Sequence, residues 1–308
     1  MQTDLKFWIA FNAGVLALLA LDLFVFHRKS RSARGWEAVA WSVGWVCLSL
    51  AFNALVWHWK GHQKALEFFT GYLIEYSLSV DNIFVFILIF SYFKVKPEYQ
   101  HRVLFWGILG ALAMRGAMIV IGVRLVTRFS WMLYFFGLFL LVTGIRMFFT
   151  KGKKAEVENF VIRFCRKWLR VTPDFHGSCF FVRVNGAWAM TQLALALVVV
   201  DVMDLIFAMD SIPAVIAVTT DPFIIYTSNV CAILGLRSLY FLLANLANRF
   251  VYLHYGLAAV LCFIGLKMLV VDWMPMPTAV SLGIVVLMLA VSVVASLAAG
   301  TRKKMQEI

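Results

Sequence analysis

The sequence predicts an all-α membrane protein with nine transmembrane helices, arranged around an inverted-topology repeat of three. Three observations carry this expectation. Of 308 residues, 63% are hydrophobic and 14% charged, with a mean hydropathy of +0.86. Apolar runs of about 20 residues, the length that crosses the ~30 Å hydrocarbon core of a bilayer, recur nine times along the chain. Two triplets of those runs carry corresponding polar residues in the same order.

The spans fall at about 7–26, 36–57, 66–93, 102–124, 131–149, 190–216, 222–247, 254–271 and 278–299. The first has Asp4 and Lys6 before it and no small-residue cleavage site after it, so it is read as a retained span. Basic residues crowd alternate linkers: four in 27–35, three in 94–102, eight in 150–189 and three in the tail. The other linkers carry Lys60 and Lys64, Arg124 and Arg128, or none at 217–221 and 272–277. The positive-inside rule then sets the N-terminus outside and the C-terminus in the cytoplasm. The net charge of +12 lies in these loops, so nucleic acid is not expected as a partner. The five cysteines form no CxxC pair and are read as packing or loop residues.

In the 150–189 linker, Val157, Phe160, Val161, Phe164 and Trp168 recur at helical spacing against Arg163, Arg166, Lys167 and Arg170. This predicts a basic amphipathic helix on the inner membrane surface. The Asn185-Gly186 pair after it signals a short hairpin.

The repeat is legible in four ordered matches. Glu75 precedes Asp81-Asn82 by six residues, and Asp204 precedes Asp210-Ser211 by six. A lone arginine follows in the next span, Arg115 or Arg237. Each triplet closes alike, on "TGIRMFF" (143–149) or "IGLKMLV" (264–270). Residues 66–149 and 190–271 are thus two copies, and an odd number of spans obliges the second to enter from the opposite side, with a binding site at the midplane.

A carboxylate at the centre of a span costs roughly 2.5–3.5 kcal/mol, and spans 3 and 6 hold five: Glu75, Asp81, Asp201, Asp204 and Asp210. Arg115, Arg237 and Lys267 are the deep cations that could balance them, two fewer than the acids. The surplus, beside Asn82 and Ser211, is an all-oxygen environment suited to a hard divalent cation such as Mn²⁺, Mg²⁺ or Ca²⁺. Six residues turn a helix by about 600° and advance it ~9 Å, so either a span unwinds or the acids form two levels. Pro213 favours a break beyond Asp210. With spans 3 and 6 antiparallel, Glu75 stands level with Asp210 and Asp81 with Asp204. Asp221 and Asn229 are placed at an outer mouth, while His58, His62 and His101 are read as solvated linker residues.

The stretches "TGYLIEYSLSVDNIFVF", "DLIFAMDSIPAVIAVTTDPFIIYTSN", "AILGLRSLYFLLA" and "GLAAVLCFIGLKMLVVD" resemble the bacterial TerC family of integral membrane proteins, in its Alx-like branch. The resemblance implies an inner-membrane protein of the LysE-like transporter superfamily; the TerC family is named for tellurium resistance and has members implicated in manganese export. It assigns Glu75, Asp81, Asp204 and Asp210 as metal-binding carboxylates. The family commonly carries glutamate at Asp201.

The expected function is therefore export of a divalent cation, Mn²⁺ above all, by alternating access, with protons as counter-ions and no resident cofactor. A membrane scaffold in metal or tellurite stress is the alternative. An enzyme is not expected: Asp81 and Asp210 could be cast as an intramembrane protease pair, but the GxGD motif of that class is absent and two catalytic residues leave the other acids unexplained.

Overall fold

The computed structural model describes residues 5–27, 35–129, 131–149, 171–172, 177, 179–184, 187–244, 253–274 and 276–306. The predicted amphipathic helix, Cys165 and the Asn185-Gly186 turn lie outside the described residues, as does the side chain of Asp81. The helices are α1 (Leu5–His27), α2 (Gly35–Lys60), α3 (His62–Tyr92), α4 (Pro97–Arg128), α5 (Met132–Phe149), α6 (Gln192–Ile216), α7 (Pro222–Leu234), α8 (Leu236–Ala244), α9 (Leu253–Leu269) and α10 (Thr278–Gln306). A hairpin of β1 (Phe181–Val184) and β2 (Ala187–Met190) precedes α6, with Val184 opposite Ala187, as the turn signal predicts.

Among the described residues, seven helices are long and apolar enough to cross a membrane, with α7 and α8 running on as one; α1 and α9 supply two shorter apolar stretches. Local chemistry sets their ends. Gly61, at φ +89°, makes the one-residue break between α2 and α3, a conformation that costs glycine nothing. Pro97 occupies the first turn of α4, where its missing N–H is not needed. Thr191 caps α6 by accepting from the Ala194 N–H, and its hydroxyl donates to the Cys179 carbonyl, which ties the hairpin to the helix start. Asp221 caps α7 by accepting from the Phe223 and Ile224 N–H groups. Pro213 does not break α6, which continues to Ile216. It lies within the last turn, where the single lost backbone bond is tolerated.

Burial separates centre from periphery. The α7–α8 span is 94% buried over its most apolar stretch and α3 67%, against 22% for α2, α5 and α10. The outer helices turn Leu, Val, Phe and Trp outward, as a lipid-facing surface requires.

Close contacts fix the helix directions. Glu67 accepts from the Thr219 hydroxyl, Val215 packs on Gly71, and Glu75 and Ser211 meet on one arginine. Each four-residue step up α3 is matched by four back along α6 and the turn that follows it, so the two helices are antiparallel and continuous. Ser228 packs on Gly71 and Tyr76 approaches Gly235, so α7 runs parallel to α3. Helices α5 and α9 cross with backbones almost touching. An ideal Cβ on Gly144 would lie 2.9 Å from both the Ala258 carbonyl and the Cys262 nitrogen, and one on Gly265 would lie 2.7 Å from the Gly137 carbonyl and 2.6 Å from the Leu141 nitrogen. Only glycine permits that approach.

Candidate functional site

The centre of the bundle is an ion pair built from three helices. Arg115 of α4 is 1% exposed. Its Nε and Nη2 donate to the two oxygens of Asp204 on α6, at 2.9 and 2.8 Å. Its Nη1 donates to Glu75 Oε1 on α3, and also approaches Ser211 Oγ at 3.4 Å. One guanidinium fork thus serves two carboxylates, using the planar geometry that arginine has and lysine lacks. Glu75 is fully buried, and its second oxygen, Oε2, has no hydrogen-bond partner.

Asp201 lies one turn before Asp204. Its carboxyl sits in a notch on α4: an ideal Cβ on Gly110 would be 3.0 Å from Oδ2, and one on Gly107 3.4 Å from Oδ1. That Oδ1 is buried and unpartnered. Asp204 is buried, Asp210 half-buried, and Asn82 and Ser211 are buried. Among the described residues, no three His, Cys, Asp or Glu side chains form a ready-made metal cluster.

The predicted site residues are therefore brought together in part. Glu75, Asp204, Ser211 and Arg115 meet directly. The α3–α6 register puts Glu75 level with Ser211 and residues 81–82 level with Asp204, giving two levels along continuous helices rather than a broken span. The three balancing cations disperse. Arg237 donates through Nε to His101 Nδ1 at 2.9 Å. Lys267 lines a cavity of about 300 Å³ with Lys64, Glu67 and Thr219 at the far end of the bundle, because α9 carries it past the level of the acids.

Three sequence readings need correction. None of the three histidines is a linker residue: His58 lies in the last turn of α2, His62 opens α3, and His101 lies in the first turns of α4, against Arg237 and 4.4 Å from the Phe241 ring centre. Asp221 does not line a mouth freely, since it caps α7 and pairs with Lys60 at 2.8 Å. Asn229 is not at a mouth either, being two turns into α7 and 1% exposed. Glu67 escaped notice, though its spacing from Lys64 was visible. It pairs with Lys64 at 2.6 Å and is 7% exposed.

The TerC family of integral membrane proteins matches residues 60–304. The chain belongs to this family. Among its relatives, a membrane protein of Myxococcus xanthus, STKORF319, is 52% identical over 94% of this chain and 91% of its own length. A candidate membrane-bound redox modulator of Escherichia coli K12, Alx, is 48% identical over 90% of each chain. A membrane protein of Rickettsia bellii is 40% identical over 94% of this chain and 96% of its own. No solved structure is significantly similar.

Proposed function

We propose that this TerC protein exports a divalent metal cation, Mn²⁺ above all, from the bacterial cytoplasm across the inner membrane. The observation that carries the reading is the buried surplus of acid. Arg115 serves both Glu75 and Asp204, and the carboxyl of Asp201 beside them has a buried oxygen, Oδ1, with no hydrogen-bond partner and no ion pair among the described residues. Carboxylates in a membrane interior require a positive partner, and a hard divalent ion or a proton is the partner these oxygens select. Exchange of the metal for protons at the same carboxylates gives the counter-transport.

The architecture belongs to the same proposal: nine spans, N-terminus outside, with spans 3–5 and 6–8 as inverted repeats. Helices α3 and α6, and likewise α5 and α9, run antiparallel, as inversion demands. The contacts of Gly144, on Ala258 and Cys262, shift by 121 residues onto those of Gly265, on Gly137 and Leu141. That is the offset that superposes the two closing motifs. Inner and outer carboxylate levels on α3 and α6 suit a site opened alternately from either side.

A membrane scaffold remains the second reading, favoured by the same ion pair, since Arg115 holds Glu75 and Asp204 as a structural bridge would. Uptake into inside-out vesicles across Mn²⁺, Mg²⁺, Ca²⁺ and Zn²⁺ separates the two. Transport predicts Mn²⁺ accumulation by the wild type, lost in Glu75→Gln and Asp81→Asn at normal expression. No flux of any divalent ion leaves the scaffold.

A further inference from the structure

We infer that Asn229 is a further cation-binding residue, a neutral oxygen ligand on α7 set about one helical turn from Glu75; the inference rests on the transport reading. Asn229 is 1% exposed, and neither its Oδ1 nor its Nδ2 has a hydrogen-bond partner. A buried amide in that condition is rare, because each unmade bond leaves the full desolvation penalty of its group.

Its direction follows from its neighbours. Ser228 Oγ lies 2.9 Å from the ideal Cβ of Gly71 on α3, and Tyr226 Cε2 lies 3.4 Å from that of Gly116 on α4. At about 100° per residue, Ser228 and Tyr226 point roughly 160° apart, and Asn229 points between them into the wedge of α3 and α4. That wedge holds the Glu75–Arg115 pair, including the unpartnered Oε2 of Glu75. Since α7 runs parallel to α3 with Ser228 on Gly71, Asn229 stands level with residue 72, about 4.5 Å along the axis from Glu75. It lies toward the end of the bundle marked by Glu67 and Thr219.

Two buried groups in one wedge thus carry oxygens without hydrogen-bond partners, and both oxygens are hard. A divalent cation there gives Glu75 Oε2 and Asn229 Oδ1 the partner each of these oxygens lacks, with Glu75 Oε1 still on Arg115, and the Nδ2 hydrogens can donate to the carboxylate beside it. One charged and one neutral oxygen hold a passing ion less tightly than two carboxylates, as a transport step requires.

The test is Asn229→Leu in the full chain, close in size and without polar atoms, with Mn²⁺ as the probe. Thermal unfolding in detergent is titrated with Mn²⁺, and flux is followed in proteoliposomes. The expected result is a metal-free melting temperature equal to or above wild type, a Mn²⁺ midpoint raised at least tenfold, and flux at low Mn²⁺ reduced at least tenfold. A metal-free chain less stable than wild type overturns the inference, because the amide is then paired within the protein. A wild-type midpoint and flux in the variant overturn it too, and leave the transport reading intact. A wild-type protein with neither metal-dependent stabilisation nor flux overturns both. Should Asn229→Leu fail to fold, Asn229→Ala is read in the same way on midpoint and flux.

Discussion

Arg115 is the residue on which the centre depends. Its guanidinium is the positive partner of two buried carboxylates, so Arg115→Met leaves Glu75 and Asp204 charged in an apolar interior. Breaking a buried pair this way costs about 3–5 kcal/mol, and a large drop in melting temperature in detergent is expected. Arg115→Lys should restore little, because an ammonium cannot donate in parallel to both oxygens of Asp204 while holding Glu75. The neighbouring acids should separate in the same assay. Asp204→Asn removes charge-assisted bonds and should cost roughly 1.5–3 kcal/mol. Asp201→Asn changes a carboxyl whose buried Oδ1 has no bond to lose, and should stay within about 1 kcal/mol of wild type. Equal losses in the two would show that Asp201 has a partner in the folded protein.

At the scale of helices, α5 and α9 meet backbone to backbone. A methyl group on Gly265 meets the Leu141 nitrogen at 2.6 Å and the Gly137 carbonyl at 2.7 Å, and backbone atoms cannot swing aside. Gly265→Ala should therefore force the helices apart, at a cost of about 1–3 kcal/mol or more, visible as lower yield and melting temperature. Gly14→Ala and Gly283→Ala meet nothing within 4 Å and serve as controls. Gly110→Ala is a third case. Its methyl would meet the carboxyl end of Asp201 at 3.0 Å, a group that can rotate. Stability should survive while Mn²⁺ flux falls; unchanged flux would separate Asp201 from the transport path.

For the whole molecule, the contacts at the helix ends sort the linkers into two sets. Lys60 with Asp221, Glu67 with Thr219, Gln63 with Thr278 and Tyr134 with Asp272 gather one end. Tyr240 with Gln100 and Arg237 with His101 gather the other. The first set takes in the linkers poor in lysine and arginine, and the second joins the basic 94–102 linker to the closing end of the α7–α8 span. Reporter fusions at residues 218 and 274 should therefore report the periplasm, and fusions at 95 and 306 the cytoplasm. The reverse pattern would invert the direction of the proposed transport.

Hydropathy and charge placed the helices and the candidate acids from the sequence alone, because bilayer thickness and the cost of buried charge act on composition, whatever the packing. Glu75, Asp204 and Arg115 stand out for that reason, and the glycines of the two closing motifs could be matched by eye. The spacing of Lys64 and Glu67 was there to be read as well. What the sequence could not decide was choice among partners. Arg115, Arg237 and Lys267 look alike as lone cations in apolar runs, yet one holds two acids, one meets His101 and one lines a cavity. That outcome depends on helix register, and the one-turn steps by which α3 and α6 slide past each other are set by packing at Gly71 and Val215. Asn229 is the sharpest instance: one polar letter in an apolar run, whose buried and unpartnered amide exists only once α3, α4 and α7 close around it.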